Sequence, residues 1–87
     1  MTKADVINLQ METVRRTVEE MRHILEGKGP EVQGAVLAEL LALFLAGHHP
    51  DLRGEILRMH MAAVEGLTEI NAAALLAEYG GEWPSKQ

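Results

Sequence analysis

Residues 30–46 read PEVQGAVLAELLALFLA, and this stretch decides the fold. Between Ala35 and Ala46 only Glu39 is charged. Val36, Leu37, Leu40, Leu41, Leu43, Phe44 and Leu45 cover nearly the whole circumference of a helix. A helix that is apolar all round must be covered all round. The longest uninterrupted apolar run, Leu40 to Ala46, is far short of the roughly 20 residues a membrane span needs. It therefore reads as a buried helix of a protein that does not enter a membrane.

The flanks of this stretch set its ends. Pro30 suits the first turn of a helix, where its missing N–H has no partner to lose. Glu31 follows at the positive end of the helix dipole. Gly47 stops the helix. The same punctuation occurs on both sides: Gly27-Lys28-Gly29-Pro30-Glu31-Val32 matches Gly47-His48-His49-Pro50-Asp51-Leu52. Both read glycine, two residues, proline, acid, aliphatic. Glycine ends one helix, and proline with an acid starts the next. Turns this short predict antiparallel neighbours.

Upstream, Ile7, Met11, Val14, Val18, Met21 and Leu25 recur in alternating steps of four and three. That is a heptad stripe on one helix, expected over about residues 5–27, with Asp5 or Thr2 as its cap. Arg15 with Glu19 and Arg22 with Glu26 stand at i,i+4 spacing on its charged side. Downstream, Leu52, Ile56, Met59, Ala63, Leu67 and Ile70 form one stripe, and Leu57, Met61, Val64 and Thr68 a second. We expect a third helix over 50–68. A break near Thr68–Asn71 then leads, with Asn71 as cap, to a short helix over 72–79. Gly80-Gly81 closes it, and 81–87 read as a tail. Trp83 in that tail either folds back over a groove or serves as a docking element.

The fold expected is all-α: one domain over residues 1–80, an antiparallel bundle of three main helices with a short C-terminal helix or extension. The two turns and the buried middle helix resemble small helical bacterial proteins, a resemblance that implies no function. Three helices of this size hide one face each, yet the second is apolar throughout and the third has two stripes. Each Leu or Phe left wet forfeits roughly 1.5–3 kcal/mol, and small domains have little core of their own to offset it. The expected remedy is homodimerisation, with Val36, Leu37, Leu40, Leu41, Phe44, Leu45 and Met59 in the interface. Another protein is the alternative partner.

Composition narrows the function. The 87 residues carry 8 basic and 13 acidic side chains, a net charge of −5. No third of the chain is net positive, so the basic face that phosphate binding requires is missing, and no nucleic-acid partner is expected. No cysteine occurs, which removes thiol chemistry, disulfides and cysteine-based metal sites and suits a reducing cytoplasm. Ser85 is the only serine and Tyr79 the only tyrosine. With no nucleophile set and no phosphate-cradling glycine loop, neither an enzyme nor a cofactor is expected.

The histidines are the remaining chemistry. His49 and His60 are eleven residues apart on one helix, about 16 Å along its axis, so they cannot share one zinc within a chain. The best metal set is His48 or His49 with Asp51 or Glu55 of a neighbouring chain. His60 borders an apolar surface, and Glu39 is the lone charge in the second helix. A buried charge needs a partner, with His60, Arg53 and Arg58 as the choices, within the chain or across a two-fold axis. Glu39 and His60 are thus the candidate ligand-binding pair. The leading expectation is a non-enzymatic homodimer acting through protein–protein contacts, as an adaptor or regulatory subunit. A small-ligand or metal-binding module near Glu39, His60 and the His48-His49 loop is the alternative.

Overall fold

The computed structural model describes residues 1–83. It contains three α-helices, α1 (Lys3–Leu25), α2 (Pro30–Ala46) and α3 (Pro50–Glu78), and no strand among the described residues. The fold class is all-α. The chain divides into two units, Met1–Leu40 and Leu41–Gln87, with the boundary inside α2.

In the first unit, Thr2 rather than Asp5 caps α1. The Thr2 hydroxyl accepts from the Asp5 N–H at 3.1 Å, and the Asp5 carboxylate accepts from the Thr2 N–H at 3.0 Å. Two N–H groups that the first turn leaves without helical partners are thereby satisfied. Gly27 follows α1 in the left-handed region, φ +82°, where a side chain would be strained. The Gln33 side chain then reaches back from the first turn of α2. Its amide donates to the carbonyls of Leu25 at 3.0 Å and Lys28 at 2.8 Å, and the Leu25 carbonyl also accepts from the Lys28 N–H at 3.1 Å.

The second unit repeats this construction. Pro50 occupies the first turn of α3, and the His49 ring caps it, its Nδ1 accepting from the Asp51 N–H at 3.1 Å. Arg53 reaches back as Gln33 does, its Nε donating to Leu45 at 3.1 Å and His48 at 3.0 Å, and its Nη2 to Ala46 at 3.0 Å. The burial pattern repeats too. Met21, Leu25, Gln33 and Val36 are half-buried in the first unit, and Leu41, Leu45, Arg53 and Ile56, each twenty residues later, are half-buried in the second. The Gly-x-x-Pro punctuation thus marks two similar turns, although Gly27 has a positive φ and Gly47 does not, and in the second unit Ala72, Leu75 and Leu76, far from the turn, are half-buried as well.

Two sequence expectations are corrected. α3 does not break near Thr68–Asn71; it runs unbroken from Pro50 to Glu78, with Asn71 inside it. The segment that follows, Ala72-Ala73-Ala74-Leu75-Leu76-Ala77, consists of the strongest helix formers, and an interior Asn costs at most about 0.7 kcal/mol. A break would strand several backbone groups on each side. The Thr68 hydroxyl is absorbed by donating to the Val64 carbonyl at 2.7 Å. The arginine pairs on α1 also differ. Arg15 pairs with Glu12 and Arg22 with Glu19, each three residues back, because helical side chains lean toward the N-terminus.

Beyond the turns the apolar stripes are uncovered. Among the described residues none is buried. Ile7, Met11, Val14 and Val18 of α1, Leu37, Leu40, Leu43 and Phe44 of α2, and Met59, Leu67 and Ile70 of α3 are all exposed.

Candidate functional site

The second turn gathers most of the chemistry-bearing side chains. Phe44, in the last turn of α2, lies edge-on to His48, with ring centroids 4.8 Å apart. His60 of α3 approaches the same ring at 5.9 Å, tilted by 42°. Phe44 therefore contacts two histidines. The His48 ring is oriented by its Nδ1–H, which donates to the Phe44 carbonyl at 2.7 Å. That carbonyl can only accept, so the proton sits on Nδ1 and Nε2 is left as an acceptor. His49 has the opposite assignment, since its Nδ1 accepts from a backbone N–H and must be unprotonated.

The residues proposed as metal ligands are engaged in local structure. His49 Nδ1 caps α3, Asp51 Oδ2 stands 3.8 Å from that nitrogen, and Glu55 pairs with Arg58 on the same helix. Among the described residues, no group of three or more His, Asp or Glu side chains is placed to hold a metal ion.

Glu39 is exposed on α2 rather than buried, and no ion pair among the described residues includes it. The partners considered for it are occupied: Arg53 on the α2 carbonyls, Arg58 on Glu55. Within one chain this exposed carboxylate needs no partner, and a Glu39–His60 pair across a two-fold axis belongs to a second copy. His60 too is exposed, and its recorded neighbour is Phe44.

The seven interface candidates fall into two groups. Val36, Leu41 and Leu45 are half-buried beside the turns. Leu37, Leu40, Phe44 and Met59 stay exposed. Trp83 folds back far enough to meet Tyr79 edge-on at 6.1 Å, yet remains about half exposed.

A cleft of about 340 Å³ lies beside the first turn, lined by Glu19, Arg22, His23, Leu25, Glu26 and Gln33. His23 sits between two carboxylates there, its Nε2 3.6 Å from Glu19 and its Nδ1 3.4 Å from Glu26. The arginine of this lining, Arg22, is already engaged by Glu19 at 3.5 Å. Elsewhere on α1, Arg15 holds the Glu12 carboxyl below its ordinary range, first by a direct hydrogen bond and then by charge. The Thr2 backbone N–H, and then its side chain, hold the Asp5 carboxyl down in the same way.

Sequence reading missed Gln33 and Arg53. Their signal was available: both stand three residues after the turn proline, one position beyond the repeated pattern. No described helix is long and apolar enough to cross a membrane. No protein-family model matches this chain, and no curated protein or solved structure matches it either.

Proposed function

We propose that this chain is an association module. It acts through protein–protein contacts, as an adaptor or regulatory subunit in a reducing cytoplasm and without catalysis, and its working state is a homodimer in which the helices pack as an antiparallel bundle. One observation carries this reading: the chain is 47% apolar, yet none of its described residues is buried. A standard interface takes about 800 Å² from each partner, and a large exposed apolar surface is what such an interface covers. Leu37, Leu40 and Phe44 of α2 and Met59 of α3 supply exposed apolar area for that purpose.

The experiment is a native mass spectrum of the purified chain without added metal. A bare dimer supports the reading, and a bare monomer that keeps its helices to micromolar dilution overturns it.

A second reading is a small-ligand or metal site at the second turn. The contact of Phe44 with both His48 and His60 favours it, because His48 keeps Nε2 free of the bond that orients its ring. A second copy would have to complete any metal shell. A dimer that carries zinc or another small mass in the same spectrum would raise this reading above the first.

A further inference from the structure

The α1 stripe differs from the apolar surfaces of α2 and α3. Ile7, Met11, Val14, Val18, Met21 and Leu25 form a two-in-seven seam, the width that a single facing helix covers, although Val6, Leu9 and Ile24 stand exposed outside it. Its last two members, Met21 and Leu25, are half-buried beside the first turn. The other four are exposed: Ile7 by 47%, Met11 by 61%, Val14 by 53% and Val18 by 51%. One continuous seam is therefore covered at one end and open along residues 3–18, about 24 Å of helix.

We propose that this open seam is covered by the same seam of a second copy, the two α1 helices running antiparallel with Ile7 opposite the partner's Val18 and Met11 opposite the partner's Val14. The proposal rests on the homodimer reading above and assigns its contact to a helix. Charge selects α1. It carries four basic side chains (Lys3, Arg15, Arg16, Arg22) and four acidic ones (Asp5, Glu12, Glu19, Glu20), so two copies meet without net repulsion. α3 carries two basic side chains (Arg53, Arg58) against five acidic ones (Asp51, Glu55, Glu65, Glu69, Glu78), and two copies of it repel.

Length selects the direction. In this register the partner's helix starts level with residue 22, one position past Met21, so the open length is used and, of the covered members, Leu25 is left alone and Met21 alone is overlapped. A parallel pair would instead stack Met21 and Leu25 of both copies, positions already sheltered within each chain. An isologous contact must be self-complementary, and a seam that pairs residue 7 with 18 and 11 with 14 is so by construction. The contact supplies part of the area the dimer needs, and the exposed apolar residues of α2 and α3 supply the rest.

The chain lacks cysteine, so single cysteines report the pairing cleanly. Met11→Cys, Val14→Cys and, as a control on the opposite side of α1, Arg16→Cys are each prepared reduced. They are oxidised alone and as a mixture of the first two, after native mass spectrometry establishes the chain count and circular dichroism the helix content. Opposed seam positions come within disulfide reach. The mixture of Met11→Cys and Val14→Cys should therefore cross-link about tenfold faster than the Arg16→Cys control. A dimer whose mixed pair links no faster than the control overturns the α1 pairing and leaves the homodimer standing. Faster self-linking of Met11→Cys than of the mixed pair means a parallel seam and likewise overturns the proposal. A monomer overturns both. Should a cysteine variant lose its helices, Val14→Glu serves instead, because position 14 is exposed within one chain. It should weaken dimerisation about tenfold while Arg16→Glu leaves it unchanged, and equal effects of the two overturn the pairing.

Discussion

Gln33 and Arg53 stand twenty residues apart and perform one task. Each reaches back across a turn to the carbonyl eight residues earlier, Leu25 or Leu45, and to the carbonyl five residues earlier, Lys28 or His48. Arg53 adds a third bond, to Ala46. A helix end leaves carbonyls short of donors; Leu25 and Leu45 each receive one turn N–H, from Lys28 and His48, and the next helix supplies a second donor. The two turns are thereby tied by side chains as well as by the backbone.

The two ties should differ in strength. Hydrogen bonds from a charged donor are worth about 1.5–3 kcal/mol when lost, against about 0.5–1.5 kcal/mol for neutral ones. Both residues are half-exposed, so the lower ends apply: Arg53→Ala should cost about 1.5 kcal/mol and Gln33→Ala about 0.5 kcal/mol. Arg53→Gln should recover most of the loss, because an amide at that position makes the same two bonds at the first turn. Urea unfolding at one fixed protein concentration measures all three. Equal losses for the two alanine variants would show that the third bond and the charge contribute nothing.

Asn71 tests the continuity of α3 by the sign of one substitution. Inside an unbroken helix, Asn71→Ala replaces a poor helix former with the best one and should stabilise by a few tenths of a kcal/mol, about 0.5. As the cap of a separate helix, the same change would instead cost about 1 kcal/mol. Thermal unfolding followed by circular dichroism distinguishes a rise in Tm from a fall.

The start of α1 should be acid-sensitive. The Asp5 carboxyl is held below its ordinary value by the Thr2 backbone N–H first and the Thr2 side chain second. Its folded pKa lies below its unfolded one, so the stabilisation is fully present above about 3.9, the ordinary Asp value. It is lost as pH falls through the depressed folded value. Asp5→Asn should remove this part of the acid dependence, since a neutral amide does not titrate. Amide exchange at the first turn of α1, compared between the two proteins from pH 5 downward, reads the difference. An unchanged profile would assign the acid sensitivity to another group.

Exposed positions on α2 should separate by chemistry. Phe44→Asp puts a charge into an apolar area that the homodimer needs to cover, and should shift the chain toward monomer by at least about tenfold in dissociation constant. Glu39→Ala, at an exposed position with no ion-pair partner among the described residues, should change stability by less than about 0.5 kcal/mol. Sedimentation equilibrium gives the first and urea unfolding the second. A destabilisation by Glu39→Ala as large as that by Phe44→Asp would restore the view of Glu39 as a buried, partnered charge.

Much of this molecule follows from local rules. Pro30 and Pro50 start helices because a first-turn residue needs no N–H, and Gly27 ends one because it takes the left-handed conformation. The spacing of Ile7 through Leu25 marks one side of a helix whatever surrounds it. Turn positions and apolar stripes are therefore determined by the sequence alone. The continuity of α3 was not legible, because Asn71 carries a cap signal and only its competition with the alanine-rich run that follows decides against a break. The candidate site was less legible still. Whether Glu39 is buried, which glutamate Arg15 and Arg22 reach, and what meets Phe44 depend on side chains brought together in space. Those the tertiary structure decided. It left Glu39 in solvent, turned the arginines toward Glu12 and Glu19, and set His48 and His60 against Phe44. It also half-covered Met21, Leu25, Val36, Leu41, Leu45 and Ile56 near the turns and Ala72, Leu75 and Leu76 near the end of α3, because an apolar side chain is covered only where a neighbouring segment comes within packing distance.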